Sequence, residues 1–439
     1  MVENSDELIV TESYLRIRDA LKEKAPVVFV SGHAGSGKTT LIRWIIEQKK
    51  WRSAIVAPTG IAALNVGGAT IHSFFKFPSR LLQDSDVRRV SKRGLYENLE
   101  LLIIDEISMV RADVMDAIGH FLAKNGPHPG EPFGGVQILL VGDLFQLPPV
   151  VSGNDLNSFF SEVYPNPYFF SSRILREMPI KFFELGETFR QKDRFFSGLL
   201  NQIRTGENIS EVAAEINRHC LKKKNASEIP SVLLTTTNRA ADLRNEQALA
   251  SLPGVSKVYS GVFKGAFDSL RDRLPSPEFL KLKVGAQVML TKNGREWVNG
   301  TLGVVKNLKE DSVIVEIMDE TPRIALVEAT AWESVRYQWD PEQKIIHKES
   351  AGQFRQIPLT LAWATTIHKA QGKTLGSVEI DLGYGAFASG QAYVALSRCR
   401  DLSHISLTRP LQAKDVICDP EISKFYSRLR LGYFASSGM

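Results

Sequence analysis

The sequence predicts an α/β protein of two parallel-sheet lobes, with a small wedge-like insertion in the first and a small β-barrel-like insertion in the second. Three observations carry this. From 27 to 143, the apolar runs VVFVSG, SAIVAP, LLIIDE and VQILLVGD alternate with helical patterns such as TTLIRWIIEQKK and ADVMDAIGHFLA. Strands that are apolar at nearly every position are buried on both faces, as in a parallel sheet covered by helices. A second such series begins with KFFEL at 181–185, passes through SVLLTT at 231–236 and resumes with LTLAWATTIH, SVEIDL and HISLTR. Between its halves, AQVMLTKN, TLGVVKNL, SVIVEIM and IALVEAT are short strands at close spacing, broken by Gly, Asn and Asp, the pattern of a small antiparallel barrel. The expected boundaries are 1–153 for the first lobe with 76–98 as its insertion, 154–255 and 352–439 for the second lobe, and 256–351 for the inserted subdomain.

With 439 residues the chain exceeds a single small binding module, and 43% hydrophobic against 23% charged residues excludes global disorder. No apolar run reaches membrane-spanning length and the stretch MVENSDELIV is acidic, so a cytoplasmic protein is expected. A net charge of +5 is too mild to identify a polyanionic partner by itself. Cys220, Cys399 and Cys418 show no paired spacing, which predicts neither a disulfide framework nor structural zinc.

GHAGSGKT at 32–39 follows the first apolar strand and opens a helical pattern, the context a phosphate-binding loop requires. Gly32, Gly35 and Gly37 let backbone N–H groups, including those of Ala34 and Ser36, turn toward phosphate oxygens at a helix N-terminus. Lys38 supplies charge, and the Thr39 hydroxyl is a magnesium ligand. LLIIDE then delivers Asp105 and Glu106 where a buried strand ends at the carboxyl edge of the same sheet. Asp105 is read as holding the metal through water and Glu106 as orienting and deprotonating an attacking water, which separates hydrolysis from nucleotide binding. GDLFQLPPV ends another strand, where Asp143 and Gln146 can sense a γ-phosphate. Two arginines are candidate fingers from the other lobe: Arg190 in ETFRQ and Arg398 in GQAYVALSRCR.

Together these motifs resemble the Pif (petite integration frequency) family of superfamily 1 helicases, in the 5′-to-3′ subgroup. The resemblance runs from the phosphate loop to about residue 409. It rests on GHAGSGKT, APTGIAALNVGGATIHSFF, IIDEISMV, GDLFQLPPV, ETFRQ, VGAQVMLTKN with VNGTLGVV, ATTIHKAQGKTL and QAYVALSR. It implies two RecA-like lobes with ATP and Mg2+ in the cleft, and catalytic roles for Lys38, Glu106, Gln146, Arg190 and Arg398. Nucleotide contacts extend to Thr40 and Gly372, with Thr39 and Asp105 at the metal. The family usually carries a glutamine upstream that reads the adenine edge, and SDELIVTESYLRIRDAL has none, so no base-reading residue is assigned.

Single-strand binders combine phosphate donors with flat side chains for base stacking. On the first lobe Pro58, Thr59, Gly60, His72, Ser73 and Phe75 are expected on such a track. On the second lobe Thr235 and Asn238 end one strand, while Thr366, His368 and Lys369 follow another. Trp363 is assigned to core packing and Lys222–Lys224 to a solvated helix end, while Trp297 and Asn299 stand open between structure and DNA contact. The insertion 76–98 has six Lys/Arg against three Asp/Glu, and Lys76, Arg80, Arg88, Arg89, Lys92 and Arg93 make it a positive wedge candidate. The implied partners are single-stranded DNA and its junctions with duplex, with G-quadruplexes among the structured substrates, acted on by a monomeric motor. An RNA-directed helicase and a non-unwinding, nucleotide-switched DNA clamp are the alternatives the same motifs permit.

Overall fold

The computed structural model describes residues 10–78, 80–91, 93–151, 160, 162–176, 178–186, 193–221, 231–267, 274–318 and 322–432. Its strands are β1 (Val27–Gly32), β2 (Ser53–Ala57), β3 (Ala69–Thr70), β4 (Leu101–Ile104), β5 (Gln137–Gly142), β6 (Ile180–Leu185) and β7 (Val232–Thr235). The inserted part contributes β8 (Lys257–Ser260), β9 (Val262–Gly265), β10 (Phe279–Leu282), β11 (Gln287–Leu290), β12 (Leu302–Leu308), β13 (Ser312–Ile317), β14 (Arg323–Glu328), β15 (Thr330–Asp340) and β16 (Ile345–Gln356). Then follow β17 (Leu359–Leu361), β18 (Ala364–Thr366), β19 (Val378–Asp381) and β20 (Ile405–Leu407).

Every residue of β1 and β4 is buried, as their unbroken apolar runs demand. They lie inside a six-stranded sheet of order β3-β2-β4-β5-β1-β6, parallel throughout, with an apolar core on each face. The second lobe has a four-stranded sheet of order β18-β7-β19-β20, also parallel, with its own core. Parallel strands align their carboxyl ends, so each lobe presents one functional edge.

Three boundaries differ from expectation. The segment KFFEL was assigned to the second lobe, but β6 pairs with β1 from Val27↔Ile180 to Gly32↔Leu185, so the first sheet extends well past 153. The helix Pro420–Arg430 returns to the first lobe, burying Ile422, Phe425, Tyr426 and Leu429 in its core. The run LTLAWATTIH divides into two strands: β17 completes an antiparallel sheet of order β14-β13-β12-β11-β17 in the insertion, and β18 joins the second lobe. Trp363 lies between them and packs against the insertion core, as assigned. Strand patterning identifies each element but not its sheet, because pairing partners are chosen by tertiary packing.

The insertion also sends the β15–β16 hairpin to the first lobe. There Tyr337 is buried in the first-lobe core, and its hydroxyl accepts the Ile55 N–H at 2.9 Å and donates to the Ile55 carbonyl at 3.3 Å. Lys348 on the same hairpin donates to the Gly67 carbonyl.

Candidate active site and nucleic-acid interface

The loop after β1 turns as its glycines permit. Gly35 and Gly37 hold φ of 82° and 87°, a left-handed conformation that other residues adopt at a cost. A side chain at Gly32 would meet the Ser36 hydroxyl. Lys38 opens the helix Lys38–Glu47 and folds back over the loop, donating to the Gly32 and His33 carbonyls at 2.6 and 2.9 Å. Burial pushes its ammonium pKa down, against the pull of Asp143, Glu106 and Asp105. The Ser36 Oγ is buried without a hydrogen-bond partner. Thr39 and Thr40 are exposed at the helix start.

Asp105 and Glu106 stand at the end of β4. Asp105 Oδ1 accepts the Glu106 N–H at 2.9 Å, and Glu106 takes a left-handed φ of 49° that turns the chain sharply there. Burial and the adjacent Glu106 push the Asp105 carboxyl up to about 7, and burial raises Glu106 as well. Two neighbouring carboxylates removed from water favour a hard divalent cation, which relieves their repulsion. The orphaned Ser36 hydroxyl, the glycine cradle, Lys38 and these oxygen donors therefore fit a nucleotide triphosphate with magnesium.

The second lobe closes the site with a residue that was not singled out in the sequence. Gln371, beside the expected Gly372, donates its amide to Glu106 Oε2 and to Gln146 Oε1, both at 3.2 Å. It therefore spans the cleft between the two first-lobe loops. The quoted motif ATTIHKAQGKTL contained it, but nothing local distinguishes it from any polar loop residue. Gly372 itself is exposed with φ of 78°.

Arg398 is 1% exposed. Its Nε donates to the Val394 carbonyl at 2.7 Å, and Nη1 donates to the carbonyls of Ala370 and Lys373 at 3.2 and 3.1 Å. The guanidinium thus braces the second lobe, while its charge still acts on Glu106. Arg190 lies outside the described residues, as do Lys92 and Lys222–Lys224.

On the nucleic-acid side the outcome is divided. Pro58 and Thr59 follow β2, and the Thr59 hydroxyl caps the helix Gly60–Val66 by accepting the Ala62 N–H. His72 is half-buried, with its pKa lowered by burial and then by Arg111, and Ser73 is exposed. Phe75 corrects the expectation of a base-stacking ring. It is 1% exposed, stacked on Phe77 with centroids 5.4 Å apart and set edge-on to Phe121. An apolar ring on the inward face of a five-residue helix gains more from core packing than from waiting for a ligand.

Thr235 and Thr366 are adjacent in register where β7 and β18 pair, so the two threonine-bearing strand ends meet at one edge. Both are buried, and the Thr366 hydroxyl caps the helix Ile367–Ala370 through the Lys369 N–H. Asn238 and Lys369 are exposed and His368 half-exposed beside them. In the insertion, Trp297 packs on the core and donates to the Lys292 carbonyl, while Asn299 Oδ1 is buried without a partner.

The wedge candidate is anchored rather than detached. Leu82 and Val87 enter the first-lobe core, and Asn125 on the helix Ala112–Asn125 pairs with the Val90 N–H and the Arg88 carbonyl. Arg80 is paired with Asp86. Arg88 and Arg89 join Arg80 in lining a cavity of about 660 Å³ together with Phe75, Phe77 and Phe121, while Arg93 is paired with Glu97.

Comparison with known proteins agrees with this geometry. The PIF1-like helicase family model matches residues 11–214. ATP-dependent DNA helicase PIF1 of Danio rerio is 35% identical over 419 residues, 92% of this chain and 61% of its own length. ATP-dependent DNA helicase Pif1 of Bdellovibrio bacteriovorus is 32% identical over 414 residues, 91% of this chain and 88% of that protein. The chain spans about three fifths of the length of the vertebrate relatives it matches. Bacteroides sp Pif1 in complex with ADP-AlF4 superposes with a TM-score of 0.87 at 33% identity, covering 97% of this chain and 98% of that one. Bacteroides Pif1 bound to ssDNA matches with a TM-score of 0.69 at 35% identity, covering 95% and 96%. Because about one third of the residues are shared along most of the Bdellovibrio protein, and the fold is shared along nearly all of the Bacteroides chain, this chain belongs to the PIF1-like helicase family.

Proposed function

We propose that this protein is an ATP-dependent DNA helicase, moving 5′-to-3′ on single-stranded DNA and separating duplex or structured DNA ahead of it. The observation that carries the reading is Gln371, a second-lobe side chain bonded to both Glu106 and Gln146. A residue in that place reports the nucleotide site to the other half of a DNA track. In this reading Lys38, the loop amides and Ser36 hold the phosphates, Thr39 and Asp105 hold magnesium, and Glu106 accepts a proton from water. Magnesium, when bound, supplies positive charge that offsets the developing phosphate charge. Arg398, and Arg190 in the resembling motif, bring positive charge from the second lobe. Adenine is not read by an upstream glutamine, so other triphosphates are substrates to test alongside ATP.

The DNA strand is placed across Pro58, Thr59, His72 and Ser73 on the first lobe, then Asn238, His368 and Lys369 on the second. Single-strand binding in the Bacteroides relative supports DNA as the substrate, and the polarity rests on the family resemblance. Action as a monomer inside the cell, and on quadruplexes as well as junctions, belongs to the same proposal. Among the described residues no helix is long and apolar enough to cross a membrane. The test is strand displacement on duplexes with 5′ or 3′ tails of DNA or RNA. Unwinding only of 3′-tailed DNA overturns the polarity, preference for RNA favours the RNA-directed alternative, and ATP-dependent binding without displacement favours the clamp.

Two further outcomes are expected. Arg398→Ala lowers the turnover number by about 10³-fold, the scale of an arginine finger, with a smaller change in KM for ATP. It also lowers the melting temperature, since the Val394, Ala370 and Lys373 carbonyls lose their donor. Steady-state kinetics with a thermal melt measure both, and a defect confined to KM contradicts the finger role. For the wedge, Arg88→Ala with Arg89→Ala spares the buried Leu82 and Val87. Duplex unwinding is expected to fall several-fold while DNA-stimulated hydrolysis stays near normal. A parallel fall in both assigns the segment to the motor.

A further inference from the structure

The cleft contains a second connection between the lobes, built around Asp143. This carboxylate is wholly buried after β5. Arg204, in the second-lobe helix Arg194–Thr205, donates from Nε to its Oδ1 at 3.1 Å. Tyr393, in the second-lobe helix Gln391–Leu396, donates its hydroxyl to Oδ2 at 3.1 Å. The same tyrosine oxygen accepts the Ala34 N–H of the phosphate loop, also at 3.1 Å. A chain of hydrogen bonds therefore runs from the phosphate loop through one second-lobe side chain to a first-lobe carboxylate held by another.

The packing fixes this arrangement. Arg204 lies over the Phe145 ring at 4.7 Å and also approaches Glu184 at 3.7 Å. A side chain at Gly390, which starts the Tyr393 helix, would collide with the Phe145 and Gln146 carbonyls. The Tyr393 helix thus approaches the sensing loop as closely as backbone allows. Asp143 is in turn bonded to Gln146, whose Nε2 lies 3.5 Å from Oδ2. It is also the carboxylate acting most strongly on Lys38.

We infer that Tyr393 and Arg204 are positioning residues, which hold the phosphate loop and the Asp143 carboxylate in register only while the second lobe is seated against the first. They act through Ala34, Asp143 and Gln146, so a DNA-driven shift of the second lobe changes the phosphate site directly. The inference rests on the reading of the cleft as a DNA-stimulated ATP hydrolase, and it adds the residues through which stimulation arrives.

The test uses Tyr393→Phe, which keeps the ring and removes one hydroxyl, and Arg204→Lys, which keeps the charge and loses the planar fork. Amide hydrogen exchange at Ala34, measured without nucleotide, is expected to quicken in Tyr393→Phe. The turnover number with single-stranded DNA is expected to fall about 10- to 100-fold in Tyr393→Phe, the scale of a hydrogen bond to a charged group, with KM for ATP little changed. Basal turnover without DNA should fall less, so the stimulation ratio shrinks in both variants. A merely structural role would lower basal and stimulated rates together and would leave that ratio unmoved, overturning the inference. Unchanged Ala34 exchange overturns it as well. A wild-type enzyme whose hydrolysis ignores DNA sinks the motor reading instead, and the exchange measurement still decides whether the second lobe holds the loop.

Discussion

Lys38→Ala is expected to lower DNA-stimulated ATP turnover by about 10²- to 10³-fold, the loss seen when a buried donor to developing negative charge is removed. The Lys38 ammonium already sits against the Gly32 and His33 carbonyls, drawn toward three carboxylates, so it is held at the phosphate loop before nucleotide arrives. Alanine removes that charge and leaves the backbone path of the loop to its glycines. The fold survives in this expectation, because the lysine's two hydrogen bonds go to carbonyls of its own loop, and DNA binding persists. Phosphate release measured beside a thermal melt decides the point. Near-normal turnover in a folded variant removes the phosphate-loop assignment.

Glu106→Gln should slow hydrolysis by about 10²- to 10⁴-fold, the range for losing a general base, while ATP and DNA still bind. Glutamine preserves the size of the side chain and an oxygen to accept the Gln371 amide, so the cross-cleft bond can remain. The left-handed backbone at 106 is no harder for glutamine than for glutamate, which separates this variant from a β-branched replacement that would strain the turn. Fluorescent nucleotide titration and single-turnover phosphate release together measure binding and chemistry. Equal loss of both would make Glu106 a structural residue.

Some of the site could be read directly because its chemistry is local. The phosphate loop needs a strand, two glycines with positive φ, a lysine and a helix within a dozen residues, and each is visible as sequence. Asp105 and Glu106 were legible for the same reason: a carboxylate pair after four buried apolar residues has to emerge at a strand end. Arg204, Tyr393 and Gln371 had no such signature. Their partners are Asp143, Ala34, Glu106 and Gln146, from 61 to 359 positions away along the chain. Phe75 was misread because it followed polar track residues, and only the ring of neighbours around it shows which way its helix faces.

By itself the sequence determined that this chain has two parallel α/β lobes, where its glycine-rich loop and the paired carboxylates Asp105 and Glu106 lie, and which family it resembles. These follow from short-range requirements, namely unbroken burial along strands and positive φ at glycine. The tertiary structure alone decided that β6 and the last helix complete the first lobe, that LTLAWATTIH is shared between two sheets, and that the β15–β16 hairpin reaches Ile55. It also decided that Arg398 braces its own lobe while Arg204 crosses to the other. Amphipathic pattern states only that a face must be covered. Which face covers it depends on packing between distant segments, and a buried arginine is placed by the carboxylate or carbonyls that compensate its loss of water.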